Sequence, residues 1–355
     1  MRQKSDEPSS AHPGAPTRLL FALLTGLVAL SVSGCFVTPI KQDQAAKAST
    51  AKLRTGPQTA ELPDNDVEPI TTTAQPVLPA TVTDAQGRKV TVTDVSRIIA
   101  VDINGTLGSI VYSLGLGSHV VGRDTSTIFP SAVALPVVTN RGHSLNAEMV
   151  LKMRPSVLLV NEGTTPAGAI DQIRRSGIPV VVFTATRSLD TNDKLIQSVA
   201  DTLGVSAEGR RLVARTDQRV AEAKKLVPNP SGNPTIAFVY VRGPKLTLLA
   251  GPGSGADSLI EAIGGVDAGT KAELTGAFTM ISAEAMIRAD PDVILVMKQG
   301  ADTVGGLDGV LKIAGISATS AGRDRRVVQM DETKILAFGP DVGEVIGSLA
   351  KAIYT

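Results

Sequence analysis

Two stretches of the chain repeat one pattern. Residues 145–160 read LNAEMVLKMRPSVLLV and residues 281–296 read ISAEAMIRADPDVILV, so the two align without gaps 136 positions apart. Each pattern predicts a short helix with an acidic first turn, a proline after its end, and then a buried apolar strand. The shared Ala-Glu pair, the shared proline and the common apolar spacing indicate a duplicated helix–strand unit.

Outside these two stretches, short apolar strands continue to alternate with helices, which is typical of parallel α/β sheets. A hairpin around Gln86-Gly87 opens the folded part. We therefore predict an α/β protein of two similar lobes, residues 81–192 and residues 230–355. A long backbone helix within residues 193–229 joins them, and a ligand cleft lies between the lobes.

The N-terminus has the pattern of an export signal. Basic residues precede an apolar run at 19–32, which is too short to cross a bilayer, where roughly 20 residues are needed. Residues 1–34 are therefore predicted to be a signal peptide, and residues 35–80, rich in Thr, Ala, Pro and Gln, a flexible tether. Val32-Ser33-Gly34-Cys35 resembles the bacterial lipobox, which implies that Cys35, the only cysteine, is lipidated. A plain signal peptide with an incidental cysteine, or an uncleaved anchor, stays open.

Composition excludes several classes of function. The formal net charge of +1 argues against nucleic acid as a partner, and 3% aromatic residues with no Trp argues mildly against a sugar cleft. The chain has three His and one Cys, and it contains no Gly-x-Ser-x-Gly or His-Glu-x-x-His motif. We therefore expect a binding protein rather than an enzyme.

The repeated helix–Pro–strand unit resembles the substrate-binding proteins of iron-chelate, haem and cobalamin ABC importers, over residues 81–355. Within that family, residues 140–148 (NRGHSLNAE) and residues 239–243 (VYVRG) are similar to segments of the haem-binding lipoproteins of bacterial haem-uptake systems. The resemblance implies a monomer on the extracytoplasmic face of the cell membrane, held there by its lipid. It also implies that the protein delivers haem to an ABC permease dimer with its ATPase.

The same resemblance implies that His143 and Tyr240 are the axial ligands of the iron of haem b, carried as transported ligand. It implies further that Arg242 hydrogen-bonds the Tyr240 oxygen. Imidazole and phenolate are both known haem ligands. Positions i and i+2 of a strand face one side, so Tyr240 and Arg242 are predicted to project together.

Weaker candidates surround these ligands. Arg141 suits a haem propionate because arginine binds carboxylates bidentately. Asn104 follows the first predicted strand, and Phe278 and Met297 fall at loop positions where they are predicted to line the porphyrin, although methionine is also a routine core residue.

Glu148 and Glu284 occupy equivalent places in the two repeats. In the family, one exposed Glu on each lobe docks onto the permease, so the resemblance makes these two the docking candidates. The alternative is that each is a first-turn Glu favoured by the helix dipole.

The cargo itself stays open at this point. A ferric siderophore or cobalamin would use the same fold, and a surface haem carrier without a permease would use the same ligands. A siderophore cleft usually contains several Arg with Trp or Tyr, and this chain has no Trp.

Overall fold

The computed structural model describes residues 52–63, 66–228 and 233–354. The predicted signal peptide, Cys35 and the first part of the predicted tether lie outside the described residues. Within them, none of the helices has the length and apolar character needed to cross a membrane.

The described chain alternates strands and helices along its length. The strands are β1 Gln58–Thr59, β2 Ala80–Thr83, β3 Lys89–Val92, β4 Ile98–Val101, β5 Val120–Arg123, β6 Val157–Asn161, β7 Val180–Phe183, β8 Thr235–Val241, β9 Thr247–Ala250, β10 Val266–Asp267, β11 Phe278–Met280, β12 Val293–Met297 and β13 Val327–Met330. The helices are α1 Thr106–Ser113, α2 Pro130–Val133, α3 Ala147–Met153, α4 Ala167–Arg175, α5 Leu189–Thr202, α6 Ser206–Lys224, α7 Ala256–Ala262, α8 Ala268–Lys271, α9 Ala283–Ala289, α10 Lys298–Asp302, α11 Gly306–Val310, α12 Ser320–Arg323, α13 Glu332–Ile335 and α14 Val342–Ile353. Single 3₁₀ turns lie at Gly117–His119, Arg141–His143, Ile316–Ala318 and Gly339–Asp341.

The N-terminal lobe contains a four-stranded parallel sheet in the order β5-β4-β6-β7. Alternate residues of its strands pack against α1 and α5 on one face and against α3 and α4 on the other. Both faces are therefore buried, which explains why β4, β7 and all of β6 but its last residue are apolar rather than alternating. The hairpin β2-β3 forms its own small sheet around the predicted turn.

The C-terminal lobe contains a seven-stranded sheet. Its order is β1-β13-β12-β8-β9-β11, and β10 also pairs with β8. Five strands are parallel, whereas β9 pairs antiparallel with both β8 and β11. Strands β9, β10 and β11 were not predicted from the sequence, and β10 and β11, with two and three residues, are too short to show a period. The prediction of a two-lobed α/β fold is confirmed.

The duplicated unit has the same structure in both lobes. Asn146 and Ser282 are the N-caps of α3 and α9, and each side chain accepts a hydrogen bond from the backbone N–H three residues later. Both helices end at a residue with left-handed backbone, Arg154 with φ 48° and Asp290 with φ 35°. The strands β6 and β12 begin at corresponding positions after them, so the alignment of the two repeats holds residue by residue.

The predicted connecting helical region, residues 193–229, contains two helices. Gly204-Val205 separates α5 from α6, and α5 packs into the core of the N-terminal lobe. The helix α6 packs into both lobes, because its Leu212 is buried in the N-terminal core and its Ala223 in the C-terminal core. It also lies along α14.

Residues 52–63 and 66–78, here called the strap, lie across both lobes. On the C-terminal lobe, β1 pairs with β13, and the N–H of the buried Ala60 donates to Gln329 O at 2.8 Å. On the other side, Glu68 forms ion pairs with Arg215 and Arg219 of α6, and Val77 N donates to Gly204 O at 2.8 Å.

The predicted flexible tether through residue 80 is therefore corrected for the part that the structure describes. The strap is held largely by backbone hydrogen bonds, which any side chain permits, so its composition carried no signal of this order.

We expect Gly204→Ala to destabilise the protein through the strap. Both Gly204 (φ 72°) and the control Gly177 (φ 84°) have left-handed backbone, but a Cβ on Gly204 would lie 2.5 Å from Val77 O, whereas one on Gly177 meets nothing within 4 Å. Each substitution should cost about 1–2 kcal/mol for the backbone conformation, and Gly204→Ala about 1–3 kcal/mol more for the clash. Denaturant unfolding of both variants checks this. If Gly204→Ala and Gly177→Ala lost the same free energy of unfolding, the contact between Gly204 and the strap would contribute nothing to stability.

Candidate functional site

Two buried aspartates shape the carboxyl end of the N-terminal sheet. Asp102 follows β4 and Asp124 follows β5. The Asp124 carboxylate accepts from the backbone N–H of Asp102 at 3.0 Å, of Ser126 at 2.9 Å and of Thr127 at 2.7 Å. Ligand clefts of parallel α/β sheets lie at this end of the strands, so the pair fixes two loops at the place where a ligand is expected.

Asp102 is itself held from several sides. Its carboxylate accepts from the N–H groups of Asn104, Thr106 and Leu107 at 2.8 to 3.1 Å, and it lies 3.4 Å from Arg187. Burial first, and then the negative charge of Asp102, raise the pKa of Asp124 to about 7.

His143 lies in the turn just before α3. Gly142 and His143 both have left-handed backbone, with φ 75° and 62°, and Asn140 N donates to Ser144 O at 2.8 Å to close the turn. The His143 ring is half-buried, and its Nδ1 lies 3.5 Å from the Ser126 hydroxyl. A non-glycine residue held at positive φ is a feature that recurs at functional sites.

The other described histidine has a structural role. The Nδ1 of His119 lies 2.8 Å from the carbonyl of Val95, in the turn between α1 and β5. His119 therefore holds the turn that leads into β5.

Tyr240 lies near the end of β8 in the other lobe. The Arg242 guanidinium carbon is 4.5 Å from the centroid of the Tyr240 ring, a cation–π contact, and the ring of Phe278 lies edge-on at 5.8 Å. The side chains of Tyr240 and Arg242 therefore project to the same side, as the two-residue period of a strand predicts.

The predicted hydrogen bond from Arg242 to the Tyr240 oxygen is corrected. Arg242 instead donates to Glu332 at 2.9 Å and to the carbonyl of Val241 at 3.0 Å. The carboxylate of Glu332 draws the guanidinium over the face of the ring, because an ion pair that is only one-third exposed is stronger than a contact with a neutral phenol.

The three tyrosines of the chain differ in their hydroxyl groups. Tyr112 donates to Ser131 O at 3.3 Å and Tyr354 donates to Ile263 O at 2.7 Å. Within the described residues, no group hydrogen-bonds the hydroxyl of Tyr240, whose side chain is half-buried. Tyr240 is thus the tyrosine whose oxygen is available to a ligand.

The two sheets meet at their carboxyl ends. Asn104 Nδ2 donates to Leu336 O at 2.8 Å, and Thr106 Oγ1 donates to Ala337 O at 2.6 Å. These bonds join the loop after β4 to the segment after β13 and α13. The amide of Asn104, predicted to contact the ligand, is therefore engaged in holding the lobes together.

The remaining predicted residues fall in different environments. Met297 is 8% exposed and packs in the C-terminal core, which contradicts its predicted place on the porphyrin face. The last residue of a buried parallel strand continues the core rather than the loop. Arg141 begins the 3₁₀ turn that ends at His143. Phe278 is 37% exposed beside Tyr240 and stays a candidate.

Glu148 and Glu284 are both exposed in the first turns of α3 and α9. Hydrogen bonds from its own backbone N–H and from Ser282 lower the pKa of Glu284. Both the docking and the helix-dipole interpretations agree with these positions.

Sequence reasoning missed several residues near these strand ends. Ile103 and Ile128 in the N-terminal lobe and Met280 in the C-terminal lobe are exposed apolar side chains, Met280 at 70%. An isoleucine two residues after a buried strand, as Ile103 is, was the available signal. The sequence gives no signal for Ser126 or Glu332, because each matters through its contact with a residue distant in sequence, His143 or Arg242.

Residues 103–333 match the periplasmic binding protein family. The chain belongs to this family. Among curated relatives, the uncharacterized ABC transporter substrate-binding lipoprotein YvrC of Bacillus subtilis is 26% identical over 285 residues, 78% of this chain and 86% of the relative. The cobalamin-binding protein of Halobacterium salinarum is 25% identical over 282 residues, 78% of this chain and 74% of the relative.

Among solved structures, the haem-binding protein HmuT is 34% identical with a TM-score of 0.80, and the match covers 85% of this chain and 98% of HmuT. The two-lobed fold of this periplasmic binding protein is thus shared over nearly the whole described chain.

We expect the stability of this family member to fall between pH 4 and pH 7 because of Asp124. Its carboxyl holds a proton up to about pH 7 when folded but releases it near pH 3.8 when unfolded. The native state therefore binds more protons in this window, and the free energy of unfolding falls as pH rises, by at most about 1.4 kcal/mol per pH unit.

Asp124→Asn should remove this part of the slope, as measured by urea unfolding at several pH values. The exposed Asp171→Asn serves as control and should keep the wild-type slope. An unchanged slope in Asp124→Asn would contradict the assignment.

Proposed function

We propose that the protein is an extracytoplasmic lipoprotein that binds haem in the cleft between its lobes and delivers it to an ABC importer. The observation that carries the proposal is the free hydroxyl of Tyr240, placed beside a guanidinium at the carboxyl end of its sheet. Phenolate is a ligand of ferric haem, and the other two tyrosine hydroxyls are committed to carbonyls.

His143 supplies the second donor from the other lobe. It lies at the carboxyl end of the N-terminal sheet, and the interlobe bonds of Asn104 and Thr106 bring that end next to the C-terminal lobe. We propose that His143 and Tyr240 converge on one iron atom. The exposed apolar side chains of Ile103, Phe278 and Met280 suit the faces of a porphyrin.

The match to HmuT, a haem-binding protein, supports haem as cargo. Cobalamin is the second candidate, because a curated relative is a cobalamin-binding protein. We favour haem because free tyrosine and histidine donors on opposite lobes suit an iron with two open axial positions. The family members function in transport, and we propose that this chain likewise performs no catalysis.

We expect the full chain to bind hemin at one site with a shifted Soret band. His143→Ala and Tyr240→Ala should each weaken binding at least tenfold, about 1.4 kcal/mol, in a spectrophotometric titration. His119→Ala and Tyr112→Phe are the matched controls and should bind as the wild type does. If the wild type bound cyanocobalamin but not hemin, the proposal that haem is the cargo would be wrong.

We propose that Glu148 and Glu284 dock the protein onto the permease, one from each lobe. Symmetric charges on two similar lobes suit a two-fold permease dimer. The lipid on Cys35 would hold the protein close to that partner.

We expect the double variant Glu148→Gln, Glu284→Gln to bind hemin normally but to stimulate its importer's ATPase several-fold less in proteoliposomes, with a loss that grows smaller at high salt. Glu261→Gln, an exposed glutamate on α7, is the control. Normal stimulation of the ATPase by the double variant would contradict the docking role and leave only the interaction of each glutamate with its helix dipole.

A further inference from the structure

We infer that Ser126 is the positioning residue for His143: it holds the imidazole with its hydrogen on Nδ1 and so leaves Nε2 as the free donor atom. The use of the free Nε2 as an iron donor rests on the proposed function. The orientation of the ring is argued only from contacts within the N-terminal lobe.

The hydroxyl of Ser126 has only one hydrogen to donate. Its Oγ lies 2.7 Å from the carbonyl of Ile103 and 3.5 Å from Nδ1 of His143. A carbonyl can only accept, and the shorter contact takes the hydrogen. Oγ therefore presents a lone pair to His143, and an attractive contact requires the imidazole hydrogen on Nδ1.

A neutral imidazole carries one N–H, so this arrangement leaves the lone pair on Nε2. The opposite tautomer would place two lone pairs against each other. Histidines that bind metals commonly donate their other ring N–H to an oxygen in this way, which fixes both tautomer and ring orientation.

Ser126 is a rigid partner. It is buried, and its N–H donates to the Asp124 carboxylate at 2.9 Å. Its carbonyl carbon and oxygen also lie 3.0 Å from where a Cβ on Gly105 would be, so the loop after β4 packs directly against it. The turn that carries His143 is exposed at Gly142, and Ser126 is the side chain that hydrogen-bonds the His143 ring within the described residues.

The tautomer can be measured without haem. In the ¹⁵N-labelled full chain at pH 8, above the ordinary titration range of imidazole, long-range ¹H–¹⁵N spectra distinguish Nδ1–H from Nε2–H rings. The chain has three histidines, and His119 is an internal reference because its Nδ1 faces the carbonyl of Val95. His143→Ala assigns its signal.

We expect an Nδ1–H ring for His143 in the wild type and in Ser126→Thr, and a shift toward the other tautomer in Ser126→Ala. The matched control is Ser131→Ala, in the nearby helix α2, whose hydroxyl bonds Asp66 rather than a histidine. Hemin affinity should fall about tenfold in Ser126→Ala and be restored in Ser126→Thr.

An Nε2–H ring in the wild type would overturn the inference, as would an unchanged tautomer in Ser126→Ala. The same titration separates this inference from the proposed function. A wild type that shows the expected tautomer but binds no hemin supports the role of Ser126 in orienting the ring and overturns haem as the cargo.

Discussion

The structure of the cleft depends on the buried carboxylates of Asp102 and Asp124. Between them they accept six backbone N–H groups, from the loops after β4 and β5 and from the first turn of α1. From the first loop, Asn104 reaches the C-terminal lobe, and from the second, Ser126 reaches His143. The same two aspartates therefore position both the loop that contacts the other lobe and the serine that contacts the His143 imidazole. Burying two acidic groups costs free energy. Hydrogen bonds and the nearby Arg187 reduce this cost, and the raised pKa of Asp124 shows the part that remains.

The two lobes use one scaffold to carry two different proposed donors, His143 and Tyr240. The helices α3 and α9 have the same capping and the same left-handed end, yet the segment before α3 is the turn of His143 and the segment before α9 is strand β11 with Phe278. The C-terminal lobe carries its proposed donor, Tyr240, on strand β8 instead. The duplicated scaffold therefore holds an asymmetric pair of proposed donors, an imidazole and a phenol.

The sequence predicted the repeats well because their signals are local. An apolar period, a capping residue and a proline act within one turn or strand, so the limits of α3, α9, β6 and β12 could be inferred from spacing alone. Failures arose where distant groups decide. Glu332 sets the position of Arg242 across 90 residues of chain. Met297 ends a strand whose last residue is in the core, and the strap is held by backbone pairs that composition does not encode.

By itself, the sequence determined that the chain is two-lobed and α/β. It also predicted an export signal, and it singled out one histidine and one tyrosine from the three of each that the chain contains. Which oxygen lies beside the His143 ring, which tyrosine hydroxyl has no partner among the described residues and which contact Arg242 makes were decided only by the tertiary structure. The physical reason is that periodicity and capping depend on neighbours within a few residues, whereas the partner of a buried polar group is whichever chain segment folding brings to it.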